Sequence, residues 1–181
     1  DHSQLLEILE WMLELCRLLR TSRVNRGAID FDLPEPKINY DVNGGVLDII
    51  RAERNEAHRI IEEFMLLANE AVAQYLERQG LPLIFRVHEA PDTVKVEQFN
   101  FVAEKLGYAL QPDQRGEYTS RAFQELMQKV AGSPEEKFLA FLMLRSFKQA
   151  RYSEVNSGHF GLATNCYTHF TSPIRRYPDL V

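Results

Sequence analysis

The sequence predicts an α+β domain, mostly helical, with a short antiparallel sheet. Apolar residues recur at steps of three and four in the stretches 3–22 and 55–78, the period of a helix with one buried face. Between them lie three short strand-like runs at 28–33, 37–42 and 46–50. The last two are joined through Asn43-Gly44, a dipeptide suited to the positive φ of a hairpin turn. Of the 181 residues, 45% are hydrophobic and 26% charged, which is enough for one sizeable core and excludes a disordered chain.

The first helix places Leu5, Leu9, Met12, Cys16 and Leu19 on one face, with Ser3 as N-cap and Gly27 beyond its end. In the run at 28–33, alternation sets Ala28, Asp30 and Asp32 on one face and Ile29, Phe31 and Leu33 on the other. The helix at 55–78, stopped by Gly80, gathers Ala57, Ile61, Phe64, Ala68, Ala71, Val72 and Tyr75 in one apolar arc. Its polar residues form two stripes. Glu63, Glu70 and Glu77 lie far from the arc and read as a solvated face, whereas His58, Glu62 and Asn69 flank it, where a site residue belongs. A short strand at 83–88 and a helix at 93–106, stopped by Gly107, come next. Two helices follow at 120–131 and 134–149, the second opened by the capping-box sequence Ser133-Pro134-Glu135-Glu136. Residues 151–171 have strand or loop character, and Ser172-Pro173 opens a last helix.

The net charge of −5 argues, taken whole, against a basic nucleic-acid binder. The average conceals a division. Residues 142–181 hold five Arg and Lys against Glu154 and Asp179, a net of +3, so residues 1–141 carry −8. No apolar run approaches the roughly 20 residues of a membrane span, so no membrane partner is expected. Cys16 and Cys166 cannot form a disulfide framework, which fits a reducing, cytoplasmic setting. The chain starts at Asp1 almost directly in a helix and stops at Val181 in mid-pattern, so it is expected to be a portion of something longer.

Chemistry concentrates in 158–181, GHFGLATNCYTHFTSPIRRYPDLV. His159, Phe160, Tyr167, His169, Phe170 and Tyr177 interleave with Arg175 and Arg176. Rings stack on bases and guanidinium groups pair with phosphate, so the mixture suits single-stranded nucleic acid. Arg175 falls in the first turn of the last helix, where free N–H groups also favour an anion. A buried aromatic strand followed by a surface helix is the other reading of the same residues. His159, His169 and Cys166 lack the spacing of a zinc site, and nothing marks Cys166 as a low-pKa thiol. Asp30 and Asp32 share a strand face, but such a pair alone reads as solvent-exposed.

This last segment resembles the signature of the ribonuclease II/R family of 3′-to-5′ exoribonucleases, the RNB catalytic domain, and is closer to its ribonuclease R side. RGAIDFDLPE at 26–35 and HRIIEEFMLLAN at 58–69 agree in order and spacing. The resemblance covers essentially the whole chain and implies part of an RNB catalytic domain, central to C-terminal. It implies a processive hydrolase acting on single-stranded RNA and releasing nucleoside 5′-monophosphates. Arg175 matches the arginine at the scissile phosphate, where charge builds in the transition state. Phe31 matches the ring that stacks on the 3′-terminal bases, although its apolar strand face alone would place it in a core. Glu62 is expected at the sugar hydroxyl or terminal nucleotide, against the alternative of a plain helix-surface Glu. Arg176, Tyr167 and His159 complete the expected substrate contacts, Arg176 turning toward backbone phosphate or a surface carboxylate.

The family uses divalent metal, normally Mg²⁺, on closely spaced aspartates. The eight aspartates here, at 1, 30, 32, 41, 48, 92, 113 and 179, form no dense cluster, so the metal ligands are expected outside this chain. The remainder of the catalytic domain and flanking RNA-binding domains are expected partners, and the chain alone is expected to be inactive. A non-catalytic RNA-binding module and a helical scaffold for a protein partner are the alternative readings.

Overall fold

The computed structural model describes residues 3–30, 36–51, 54–171, 176 and 178. In chain order the elements are α1 (Ser3–Arg26), β1 (Pro36–Tyr40), β2 (Val46–Arg51), α2 (Glu56–Arg78), β3 (Phe85–Val87), α3 (Thr93–Lys105), α4 (Ser120–Val130), α5 (Glu136–Ser146) and β4 (Arg151–Ser153). A single 3₁₀ turn covers Phe160–Leu162. The architecture is α+β and mostly helical, as the sequence implies, with two separate two-stranded antiparallel sheets among the described residues.

Local chemistry sets the element ends. α1 runs four residues past its expected end and stops at Gly27, whose φ of +98° a residue with a Cβ rarely adopts. A Cβ there would also lie 3.0 Å from that of Arg121 on α4. The hairpin forms as expected. Gly44 takes φ +84°, and the Asp41 carboxylate accepts the N–H groups of Asn43 and Gly45 at 2.8 and 2.7 Å. At the start of α2 the Asn55 side chain accepts the His58 N–H, and His58 Nδ1 accepts the Asn55 N–H. That is a reciprocal cap.

The expected capping box of α5 does not form. The Glu136 carboxylate accepts the Gly132 N–H at 2.7 Å, while the buried Ser133 hydroxyl has no partner among the described residues. The helix starts after an extra turn, so Ser133 sits too early to cap it. Residues 28–30 are not a strand either. Ala28 and Ile29 are both buried, because the Ala28 carbonyl accepts from Gln124 on α4 and the Ile29 N–H donates to Gly161. Residues 31–33 of that run, and the helix start at 172–175, lie outside the described residues.

The main core joins α3, α4 and α5 through Val96, Phe99, Phe123, Leu126, Leu139 and Met143. Phe123 is fully buried and meets Phe147 edge-to-face at 5.0 Å, a favoured aromatic geometry. A smaller core of Ala73, Phe85, Val87 and Cys166 lies under α2. β3 organises this second region. It pairs with β4, its Arg86 N–H donates to the Tyr167 carbonyl at 2.8 Å, and Phe85 bridges to Thr168. In this way β3 holds the segment around Tyr167 against α2.

The packed faces of α1 and α2 differ from the sequence expectation. Leu5 and Leu9 are more than half exposed, and only Cys16 of the expected α1 face is buried. On α2 the apolar arc is the open side, with Ile61 54% and Tyr75 63% exposed. The helix buries Ile60, Glu63, Asn69 and Ala73 instead. Glu63 is not part of a solvated stripe. It takes a bidentate contact from Arg23 of α1, with both groups nearly inaccessible, and Glu70 pairs with Arg26 at 2.6 Å. These ion pairs fasten the face that periodicity assigned to water.

Candidate functional site

A cleft of about 480 Å³ opens between α2 and the segment following Cys166. From α2 come His58, Glu62 and Asn69, the polar stripe singled out in the sequence, with Ala57, Ile61 and Met65 as apolar surface. The facing wall is formed by Tyr167, His169 and Arg176. Part of the arc expected to face a core therefore lines this cleft.

Asn69 ties the two walls together. Its Nδ2 donates to the Tyr167 hydroxyl at 2.9 Å, while its Oδ1 accepts the N–H groups of Phe170 and Thr171 at 2.8 and 2.9 Å. Burial raises the Tyr167 pKa above its ordinary value, against the Asn69 hydrogen bond and Arg176, which pull it down. The phenol is thus neutral at physiological pH. His169 Nδ1 lies 2.8 Å from the Tyr152 hydroxyl, and the Arg86 guanidinium stacks over the Tyr152 ring at 4.9 Å.

Glu62 is gripped by Arg54, whose Nε and terminal nitrogen reach its two oxygens at 2.7–3.1 Å. The same guanidinium donates to Asp30 at 3.1 Å. Asp30 also faces Arg20 and Arg23 at 3.6 and 3.7 Å. Asp30 is an exposed residue, as expected, and its carboxylate faces these three cations.

His159 does not line the cleft. Its ring packs behind Tyr167 at 5.4 Å and beside His88 at 5.1 Å, and Nδ1 accepts the Leu162 N–H at 3.2 Å. Burial, then the neighbouring His88 and Arg86, push its pKa down to about 3. It props Tyr167 from behind and caps the 3₁₀ turn, outside the lining of the cleft that holds the other expected contacts. Arg175 and Phe31 lie outside the described residues.

The sequence places Asn69 on the polar stripe and His169 in the aromatic and basic segment, without giving either a role of its own. His169 was within reach of strand alternation, which turns it to the same side as Tyr167. Arg54 carried no local signal, because its partners are Asp30 and Glu62 on other turns of the chain.

The described residues do not fit a bound divalent metal. No three His, Cys, Asp or Glu residues among them come together, and the Asp30 carboxylate is surrounded by arginines. What the cleft offers is apolar surface for a flat ring, aromatic walls, one guanidinium and an oriented carboxylate. Such a site suits a nucleotide.

The RNB domain model matches residues 1–181. The chain belongs to the RNB domain family. It is 49% identical over 177 residues to ribonuclease R of Aquifex aeolicus, covering 98% of this chain and 25% of that protein. It is 40% identical over 180 residues to ribonuclease R of Escherichia coli, covering 99% and 22%. Among solved structures it is similar to Mycoplasma genitalium RNase R in complex with ribose methylated single-stranded RNA, with a TM-score of 0.89 and 31% identity, covering 95% of this chain and 27% of that one. The chain thus spans about a quarter of the length of these RNB relatives. No helix among the described residues is long and apolar enough to cross a membrane.

Proposed function

We propose that this chain is the central to C-terminal portion of the catalytic domain of a hydrolytic, processive 3′-to-5′ exoribonuclease. Its α2 cleft takes the 3′-terminal nucleotides of single-stranded RNA. The observation that carries this reading is the cleft itself, where the second and third family motifs meet. HRIIEEFMLLAN supplies Glu62 and Asn69, and the last motif supplies Tyr167, His169 and Arg176. The match to the RNB domain over the whole chain supports it, as does the similarity to a ribonuclease R solved with single-stranded RNA.

In this reading Arg175 stabilises charge on the attacked phosphate and Arg176 holds a backbone phosphate from the cleft wall. Phe31 stacks on a terminal base, Tyr167 offers a ring edge and Glu62 accepts a hydrogen bond from a sugar hydroxyl. Stacking tolerates every base, which suits degradation of any sequence to nucleoside 5′-monophosphates. Divalent metal, Mg²⁺ in this reading, is supplied by ligands outside the chain. The rest of the catalytic domain and flanking RNA-binding domains complete the enzyme, so the 181 residues alone are inactive. The two cysteines, free and buried, fit work in a reducing cytoplasm.

The test is Arg175→Ala in the full-length protein, assayed for nucleotide release from a 5′-labelled RNA. The rate should fall by about 10²–10³ with RNA affinity little changed, the signature of a lost transition-state donor. Equal rates would remove Arg175 from the chemistry. RNA binding by the parent without any nucleotide release would make the protein a non-catalytic binder.

A further inference from the structure

Five charged side chains form one continuous chain of alternating sign. Glu63 pairs with Arg23, Arg23 faces Asp30, Asp30 accepts from Arg54, and Arg54 holds Glu62. Glu62 and Glu63 are neighbours on α2, so the network leaves the helix at one carboxylate and returns at the next. Arg23 is sealed between α1 and α2, with its side chain 7% exposed. Arg54 differs in two respects. It precedes the α2 cap and folds back over the first two turns, and its guanidinium uses all three nitrogens to bridge carboxylates of two separate segments.

Glu62 is the only member of this network on the cleft wall, and its side chain remains 40% exposed there. A carboxylate has about four acceptor positions. Arg54 reaches both oxygens, through Nε at 3.1 Å and one terminal nitrogen at 2.8 and 2.7 Å. The exposed edge of Glu62 meets no other donor among the described residues and faces the cleft. Asp30 holds the third nitrogen of the fork and, through Arg20 and Arg23, anchors it to α1. A flexible surface Glu is thereby converted into an acceptor of fixed direction. Such preorganisation is what discrimination for or against one hydroxyl requires.

We propose that Arg54 is a positioning residue that aims Glu62 at a ribose hydroxyl of the bound RNA end, and so sets the preference for ribose over deoxyribose there. This rests on the exoribonuclease reading of the cleft. Arg54 touches no substrate and acts only through Glu62. Lysine cannot replace it, because a point charge cannot fork across two carboxylates.

The test uses the full-length protein and two oligonucleotides, one all-ribose and one with a 2′-deoxy 3′-terminal residue. The readout is the ratio of kcat/KM between them. Glu62→Gln should lower the parent's ribose preference by about tenfold or more, and Arg54→Met should lower it to a similar extent, mainly through KM on the all-ribose substrate. The double variant should be no worse than the weaker single one, since both remove the same oriented acceptor. If Arg54→Met does not fold, Arg54→Lys carries the test and should also lose the preference. A parent-like ratio in Arg54→Met or Arg54→Lys while Glu62→Gln loses it would overturn the role of Arg54 alone, as would additive losses. A parent-like ratio in Glu62→Gln would instead overturn the placement of Glu62 at the sugar, and the inference with it.

Discussion

Asn69 and Tyr167, 98 positions apart, meet at 2.9 Å in the floor of the cleft. The amide is almost fully buried, and its oxygen also accepts two backbone N–H groups from Phe170 and Thr171. The Thr171 hydroxyl donates to that oxygen as well, at 3.2 Å, so removing the amide takes a partner from four polar groups. Asn69→Ala should cost about 3 kcal/mol of stability, read as a shift in the urea midpoint of the chain. A loss within about 0.5 kcal/mol, the range of ordinary surface changes, would contradict the account.

The Arg23–Glu63 pair should behave as an obligate couple. Both side chains are less than a tenth exposed, so solvent does not screen the loss of either. Arg23→Ala should cost about 3–5 kcal/mol, because it leaves the buried Glu63 carboxylate without this partner. Glu63→Ala should cost less, because Arg23 still faces Asp30 at 3.7 Å. Removing both together should cost less than the sum of the single losses. A double-mutant cycle on unfolding free energy checks this, and strict additivity would show the pair to be uncoupled.

His159 predicts a direction of acid sensitivity. Its folded pKa is pushed down to about 3 from an ordinary value of 6.5, and His88 shifts the same way, chiefly by burial. Below about pH 6.5 the unfolded chain binds protons that the folded chain refuses, so stability is full above that pH and falls as pH drops toward about 3. His159→Gln should flatten the decline in urea midpoint between about pH 7 and about pH 4. The parent's slope, retained unchanged in the variant, would show that His159 is not held neutral by the fold.

Cys166 should resist alkylation in the native chain. Burial first, then Glu77, push its thiol up to about 12, and the thiolate is the reactive form. Burial also raises the pKa of Cys16. Iodoacetamide at mildly alkaline pH should label neither cysteine until denaturant is added. Rapid native labelling of Cys166 would mean that the small core under α2 opens readily.

The comparison of α1 and α2 shows where sequence reasoning holds and where it stops. The stops at Gly27 and Gly80 were legible, because a glycine at positive φ acts on adjacent backbone groups, whereas the reciprocal Asn55–His58 cap was not read. The cleft was partly legible, since His58, Glu62 and Asn69 share a stripe by helical geometry alone. Which side of α2 is buried was not. Periodicity scores Glu63 and Glu70 as polar, and the arginines that pair with them lie 40 and 44 positions earlier, on another helix.

The sequence by itself determined the fold class, the hairpin, most helix limits and, through three ordered motifs, the family. Those properties depend on neighbours along the chain or on the spacing of whole blocks. Tertiary structure alone decided that the Glu63 side of α2 is the packed one, that His159 stands behind Tyr167, and that Arg54 bridges Asp30 and Glu62. A buried charge is stable only beside its partner, and only the folded chain brings such distant partners within hydrogen-bonding distance.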